Sequence, residues 1–186
     1  TVPFDPGVVI DDEGNGWLAF GAGKARLARL GKDMLSFDSP FVVLPASHHF
    51  EANELNVLGG KLVYTYNLDW TDKEGWKEKA DVPTRCSMGY MLPDGDPLKT
   101  ESWHYQDYFL KNPGEDGFDY SNNPAHLHKY EGKWYVFNHT MILKDAADVE
   151  APPVTGIAGK KDFSIIRIEK AQMNETAGFI HRVLLP

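Results

Sequence analysis

Short runs of β-branched and aromatic residues, each bounded by Gly, Pro, Asn or Asp, dominate the pattern of this 186-residue chain. Such runs predict β-strands, because branched and aromatic side chains pack well on a half-buried pleated surface. The stretch with the best helical composition, residues 70–80, is polar and has no apolar period, so we expect a loop there. The pattern therefore predicts an all-β fold.

One hairpin signature recurs three times along the chain. A strand, a turn that contains glycine and an aromatic strand follow one another, and two more strands complete each unit. The turns lie at residues 11–16, 59–60 and 131–132, and the aromatic strands that follow them at 17–20, 61–66 and 133–137. In the third unit the last two strands are expected at residues 163–169 and 179–184. The sequence thus predicts one domain over residues 1–186, made of three antiparallel four-stranded units at about 1–46, 47–112 and 113–186.

Repeated four-stranded units of this kind are typical of the blades of a β-propeller. The alternative is a β-sandwich with three similar hairpins, but the hairpin recurs at the same place in each unit, which favours the propeller. Closed propellers have about four to eight blades. Three blades would leave two open edges, so the chain is predicted to be part of a larger propeller. On the open side of the first unit, the absence of a neighbouring blade is expected to leave four apolar side chains exposed on one side: Val8, Ile10, Trp17 and Phe20.

Composition and net charge argue against several classes of binding partner. The chain is 12% aromatic, which opposes disorder, and its formal net charge is −8, which opposes binding to nucleic acid. No run approaches the roughly 18 apolar residues of a membrane span, so no membrane partner is expected. An acidic chain rich in Trp and Tyr suits neutral ligands with flat faces, such as sugars.

Neither the cysteine content nor the first residues decide the compartment. Cys86 is the single cysteine, which excludes an internal disulfide and leaves the redox environment open. The opening residues, TVPFDPG, lack the basic start and apolar run of a signal peptide. We expect a secreted or extracellular protein and keep the cytoplasm as the alternative.

Two acidic residues occupy equivalent places in the repeat. Asp5 precedes the first strand of the first unit, and Glu51 precedes the first strand of the second. Because the first strand of each blade lines the channel of a propeller, these two carboxyls are expected to be neighbours. Phe4 and Phe50 adjoin them, and apolar surroundings favour a raised pKa and work as a general acid. Glycoside hydrolysis needs such a carboxylate pair; the alternative is that both acids cap turns or bind backbone amides.

A rival acid and three candidate sugar-binding side chains follow in the second unit. Glu54 lies three residues after Glu51, and strand alternation is expected to turn it to the opposite face. His49 is expected in a loop near a bound sugar. Trp70 and Trp76 lie in a polar loop, where aromatic rings are typical of ligand contacts.

Several motifs, in the right order, resemble glycoside hydrolase family 43. FDPGVVIDDEG at residues 4–14 resembles the second-blade segment of that family, and residues 25–35 resemble the strand that follows its hairpin. FEA at residues 50–52 is similar to the segment that carries the family's general acid. Asn122 and Asn123, followed by GKWYVFNH at residues 132–139, resemble the fourth-blade hairpin. The resemblance covers essentially the whole chain.

The resemblance implies a five-bladed propeller and an inverting glycosidase of the β-xylosidase or α-L-arabinofuranosidase type, acting on plant polysaccharides. It implies that Glu51 is the general acid and that Asp5 tunes its pKa and orients it. The general base of the family belongs to the first blade, which has no counterpart in this chain, so residues outside the chain must supply it. The isolated chain is then expected to be inactive, and a carbohydrate-binding propeller fragment without activity is the alternative.

The family usually has a histidine directly after the asparagine pair, near the channel centre and often in contact with a metal ion. Pro124 and Ala125 stand there in this chain, and His126 is the nearest histidine. The resemblance therefore implies a sugar-binding or metal-binding role for His126, while the alternative is a strand histidine bonded to the backbone. No cofactor is required for the reaction, and a calcium ion in the channel is the one metal that the resemblance implies.

Overall fold

The computed structural model describes residues 4–69, 85–116 and 123–138, together with the backbone of residues 156–160 and 163–167. Within these residues, twelve β-strands form three four-stranded sheets. Two short 3-10 helices, Thr100–Ser102 and Pro113–Asp116, flank the last strand of the second sheet. The same part of the chain contains no helix with the length and hydropathy that crossing a membrane requires.

The first sheet is an antiparallel meander whose order in space follows the sequence. Its strands are β1 (Gly7–Ile10), β2 (Gly16–Phe20), β3 (Arg26–Arg29) and β4 (Val42–Val43). The side chain of Asp11 closes the β1–β2 turn, because its carboxylate accepts the N–H groups of Glu13 and Asn15 and the indole N–H of Trp17. This turn fixes the register that places Val9 opposite Trp17.

The second sheet is also an antiparallel meander. Its strands are β5 (His49–Leu58), β6 (Lys61–Leu68), β7 (Met88–Pro93) and β8 (Trp103–Leu110). Gly59 and Gly60 make the β5–β6 turn with φ angles of 57° and 76°, a conformation that glycine adopts without steric cost. β5 is irregular: its register against β6 shifts between His49 and Glu51 and again between Glu51 and Glu54. Each shift is a β-bulge, where an extra residue on one strand changes the alternation of faces.

The third sheet departs from the predicted meander. β9 (Ala125–Tyr130) and β10 (Lys133–Asn138) form the expected hairpin, but β10 pairs in parallel with β12 (Phe163–Arg167). The unpredicted strand β11 (Gly156–Lys160) lies at the edge and pairs antiparallel with β12. The expectation of four antiparallel strands was wrong here, because one additional strand between β10 and β12 reverses the direction of the chain. The strand predicted at residues 179–184 lies outside the described residues.

The core lies between neighbouring sheets. The first and second sheets share a cluster of buried side chains, which includes Trp17, Leu27, Leu55, Tyr64 and Trp103. A smaller cluster joins the second and third sheets; it consists of Met88, Ala125, Leu127 and Val136. Face-to-face packing of successive four-stranded sheets is the arrangement of propeller blades.

The outer face of the first sheet is partly as predicted. Val8 and Ile10 are 51% and 60% exposed, and they alternate along β1 with Val9, which packs against the core shared with the second sheet. Trp17 is only 5% exposed, so the prediction that it lacks cover was wrong. Trp17 alternates along β2 with Leu18 and Phe20, and the alternation turns its ring inwards against the second sheet.

Candidate active site

The first strands of the three sheets line a cleft of about 830 Å³. Asp5 stands just before β1, Glu51 and Glu54 lie on β5, and His126 and His128 lie on β9. The cleft therefore collects ionisable side chains from three successive blades, because each blade contributes the strand nearest the centre. We call it the acidic cleft.

Asp5 and Glu51 are brought together by a backbone contact. The Asp5 carboxylate accepts the N–H of Ala52 at 3.0 Å, which fixes Asp5 beside the residue that follows Glu51. Asp5 and Ala52 both have left-handed backbones, with φ angles of 43° and 58°. Such conformations are costly for residues with a side chain, and they concentrate at functional sites.

The carboxyl of Glu51 has the electrostatic surroundings of a general acid. Partial burial raises the pKa of Glu51, and the negative charge of Asp5 raises it further. None of the described residues donates a hydrogen bond to this carboxyl or accepts one from it. Glu51 can therefore keep its proton to a higher pH than an exposed glutamate, and no side chain in the described part of the chain competes for that proton.

Glu54 lies on the same face of β5 as Glu51, so the prediction that it points away was wrong. Glu51 pairs with Asn67 and Glu54 with Thr65, and these two residues of β6 are two apart. The bulge between Glu51 and Glu54 absorbs the additional residue and restores the shared face.

The Glu54 carboxylate is occupied by hydrogen bonds. It accepts the Leu127 N–H at 3.0 and 3.2 Å and the Thr65 hydroxyl at 3.3 Å, and it pairs with the Nδ1 atom of His126. These contacts join β5 to β9 across two sheets. Glu54 thus holds the walls of the acidic cleft together, whereas Glu51 keeps its carboxyl available.

His126 lies at the wall of the cleft with a side chain that is 64% exposed. Its hydrogen bond with Glu54 raises the pKa of His126. The second ring nitrogen, Nε2, has no partner among the described residues and is available to a ligand. His128 lies beside it, with 5.8 Å between the ring centroids.

His49 is not in a loop near the cleft, as the sequence predicted, but begins β5 in the core. Its side chain is 8% exposed, and its ring lies 5.4 Å from that of Tyr66 and 6.4 Å from that of Tyr64. His49 pairs with Leu68 and Glu51 with Asn67, which are adjacent on β6 and face opposite ways. The first bulge therefore sends His49 into the core and Glu51 into the cleft.

The other predicted site features are only partly covered by the structure. Trp70 and Trp76 lie outside the described residues. Among the residues that are described, no group of three or more His, Cys, Asp and Glu side chains is arranged to hold a metal ion. In the described part of the chain, His126 pairs with the carboxylate of Glu54, and this pair does not by itself form a calcium site, so the calcium ion stays a prediction.

Sequence reasoning missed Asn53, a buried side chain beneath the cleft. It is 6% exposed and lies between Ala52 and Glu54, where a strand of alternating pattern would carry an apolar residue. A polar residue at an inward position of a strand is a signal that could have identified it, because buried amides require partners.

Comparisons with known proteins agree on one relationship, although no family model matches the chain. An arabinoxylan arabinofuranohydrolase of Paenibacillus polymyxa is 26% identical over 185 residues, which is 89% of this chain and 28% of that protein. An arabinoxylan arabinofuranohydrolase of Bacillus subtilis strain 168 is 30% identical over 159 residues, which is 77% of this chain and 29% of that protein. The chain thus spans less than a third of the length of these curated relatives.

A solved structure gives the same result. The glycoside hydrolase family 43 arabinoxylan arabinofuranohydrolase from Bacillus subtilis, in complex with cellotetraose, matches with a TM-score of 0.67 and 29% identity. The match covers 78% of this chain and 32% of the other. It confirms that the sheets are blades of a β-propeller and decides against the sandwich alternative.

Proposed function

Because the chain belongs to glycoside hydrolase family 43, we propose that it forms part of a glycosidase that cleaves arabinofuranosyl or xylosyl linkages in plant polysaccharides. The names of both curated relatives favour the arabinofuranosyl groups of arabinoxylan. The observation that carries the proposal is Glu51, a carboxyl with a raised pKa and no hydrogen-bond partner among the described residues, beside Asp5 in an open cleft. A secreted or extracellular location is part of the same proposal.

Glu51 acts as the general acid and protonates the oxygen of the leaving sugar as the glycosidic bond breaks. Such a group must hold a proton at the working pH and release it in the transition state, which a moderately raised pKa permits. Burial and the Asp5 charge provide that pKa.

Asp5 acts on the reaction through Glu51. Its carboxylate is held by the Ala52 N–H, so the negative charge keeps a fixed position beside the acid. A like charge at a fixed position raises the pKa of its neighbour without competing for the proton.

The general base is supplied by residues outside this chain. In an inverting glycosidase the base activates a water molecule on the far side of the sugar ring, and the two carboxyl groups are about 6.5–9.5 Å apart. Glu54 is unsuited to that task, because its oxygens already accept hydrogen bonds from Leu127 and Thr65. His126 binds a sugar hydroxyl through the nitrogen that Glu54 does not engage.

Arabinoxylan hydrolysis by the complete protein that contains this chain tests the proposal. We expect release of arabinose or xylose by the wild type and its loss in Glu51→Gln, with the isolated 186-residue chain inactive. Calorimetric titration with arabinosyl-substituted xylotriose then separates two outcomes. Binding with no release by the complete wild-type protein would replace the glycosidase with a carbohydrate-binding propeller, and absence of both would contradict the proposal.

A further inference from the structure

Asn53 makes five hydrogen bonds beneath the acidic cleft, and none of the catalytic steps above uses it. It lies on β5 directly after Ala52, and its side chain is buried. Its partners come from the first sheet and from its own, second sheet. The Nδ2 group donates to backbone carbonyls of the first sheet, and the Oδ1 atom accepts a hydroxyl and a ring N–H of the second.

The donor side binds the first sheet. The Asn53 Nδ2 atom donates to the backbone carbonyls of Gly21 at 2.8 Å and Asp5 at 3.0 Å, with the Phe4 carbonyl at 3.4 Å. These carbonyls belong to the residues just before β1 and just after β2. One amide group therefore holds both ends of the first hairpin against β5.

The acceptor side binds the second sheet. The Oδ1 atom of Asn53 accepts the Tyr64 hydroxyl at 2.5 Å and the His49 Nε2–H at 3.0 Å. Burial raises the pKa of Tyr64 and lowers that of His49, so both side chains stay neutral at pH 7. A neutral His49 with its proton on Nε2 is a donor, which matches the polarity of the amide oxygen.

We propose that Asn53 is a positioning residue that fixes Asp5 in place beside Glu51, an inference that rests on the proposed glycosidase function. Asp5 is held at two points by consecutive residues of β5: its carboxylate by the Ala52 N–H and its carbonyl by the Asn53 side chain. The two contacts together maintain the left-handed backbones of Asp5 and Ala52.

Only a carboxamide of this length satisfies the pattern. Aspartate has no donor for the Gly21 and Asp5 carbonyls, and alanine leaves these carbonyls and the donors of Tyr64 and His49 without partners. Removal of the amide should release the Asp5 segment from β5. The negative charge of Asp5 then moves away from Glu51 and raises the pKa of Glu51 less.

The pH dependence of carbodiimide labelling measures this effect without using catalysis. Carbodiimides activate protonated carboxyls, so peptide mass spectrometry across a pH series gives the protonation midpoint of Glu51, normalised to the exposed Glu101. In the complete protein we expect a lower Glu51 midpoint in Asn53→Ala than in the wild type. Asn56→Ala is the matched control on the same strand and should keep the wild-type midpoint.

Other ionisable groups around Glu51 do not explain such a shift. Glu54 lies on the same strand, His126 and His128 line the same cleft from β9, and Cys86, just before β7, interacts with Glu51 electrostatically. None of them hydrogen-bonds Asn53, so their effect on Glu51 is common to both variants.

If Asn53→Ala fails to fold, a variant that removes only one of the Asn53 hydrogen bonds tests the same inference. Tyr64→Phe removes one donor to the amide oxygen, keeps the ring, and should lower the Glu51 midpoint by a smaller amount. An unchanged Glu51 midpoint in the folded variant would overturn the inference, as would an equal shift in Asn56→Ala. Because labelling needs no substrate, failure of the glycosidase proposal would show in the hydrolysis assay alone.

Discussion

At the scale of single residues, the surroundings that suit Glu51 to the proposed role of general acid work against the stability of the fold. Burial and the Asp5 charge give Glu51 a higher pKa in the folded protein than in the unfolded chain. The folded state therefore binds more protons between the two pKa values, and the free energy of unfolding decreases as pH rises through that interval. The full loss of stability is reached once the pH exceeds the pKa of Glu51 in the folded protein.

Replacing Glu51 with glutamine should remove most activity on natural glycosides, because the leaving oxygen no longer receives a proton. General acid catalysis is typically worth about 10²–10⁴-fold. Initial rates on arabinoxylan and on an aryl glycoside whose leaving group needs no proton measure the effect, and the loss should be much smaller on the aryl substrate. Glu54→Gln is the control, and its loss of activity should be much smaller. Equal losses of activity in the two variants would show that Glu51 is not the general acid.

The same substitution should stabilise the fold. Glutamine has no charge to desolvate and is not repelled by Asp5, so Glu51→Gln should raise the thermal midpoint at pH 7. At a pH below the ordinary glutamate pKa of 4.5, where both states are protonated, the gain should disappear. Calorimetric scans at the two pH values test this, and a lower thermal midpoint at pH 7 would contradict the electrostatic account.

Asp5→Asn should change the pH profile rather than only the rate. Removal of the like charge lowers the pKa of Glu51, although burial still raises it. The general acid must be protonated, so activity falls on the alkaline side as Glu51 ionises, and this alkaline limb should move to lower pH. The pH dependence of kcat/KM for the complete enzyme measures it, and an alkaline limb that stays in place would show that the two carboxyls are not coupled.

At the scale of elements, the site depends on how closely β1 approaches β5. A Cβ atom on Gly7 would lie 2.5 Å from the backbone oxygen of Asn53 and 2.7 Å from the Cα atom of Glu54. Both are backbone atoms, which cannot move aside as a flexible side chain would. Glycine at this position lets the first hairpin come close enough for Asp5 to reach Ala52.

Gly7→Ala should therefore separate the two strands. Overpacking of this kind costs about 1–3 kcal/mol, and we expect a decrease of that size in the free energy of unfolding. Urea denaturation of the complete protein measures it. Gly95→Ala is the control, because its nearest atom is the Ser102 hydroxyl at 3.4 Å, and it should be close to neutral.

Hairpins could be predicted from the sequence because their signals are local, whereas the irregularities of β5 could not. The Gly59-Gly60 turn specifies its own conformation, and the aromatic strand after it follows at once. The irregular segment around Glu51 is bound by the Asp5 carboxylate, which comes from another sheet and accepts the Ala52 N–H across 47 positions of sequence. Alternation applied without the bulges of β5 put Glu54 on the wrong face, and the interpretation of His49 as a loop residue missed that it begins β5 in the core.

At the scale of the whole molecule, the first sheet has one covered face and one apolar face that remains largely exposed among the described residues. Trp17 and Leu27 pack against the second sheet. On the other face, Val8 and Ile10 are more than half exposed, and Phe41, itself 48% exposed, packs edge-on against Phe20 with 5.6 Å between the ring centroids. Contiguous apolar patches of this kind mark surfaces that bind another protein or blade.

The isolated 186-residue chain should therefore associate rather than persist as a monomer of 20.9 kDa. Burial of a Val or Ile side chain is worth roughly 1.5–3 kcal/mol, so a few of these residues provide a driving force comparable to the stability of a small domain, about 5–15 kcal/mol. Sedimentation velocity should show dimers or larger species, and the double variant Val8→Thr, Ile10→Thr should shift them towards monomer. Leu58→Thr is the control: Leu58 is 37% exposed at the end of β5 in the second sheet, so its replacement should leave association through the first sheet unchanged. A wild-type chain that sediments as a stable monomer would show that this face needs no partner.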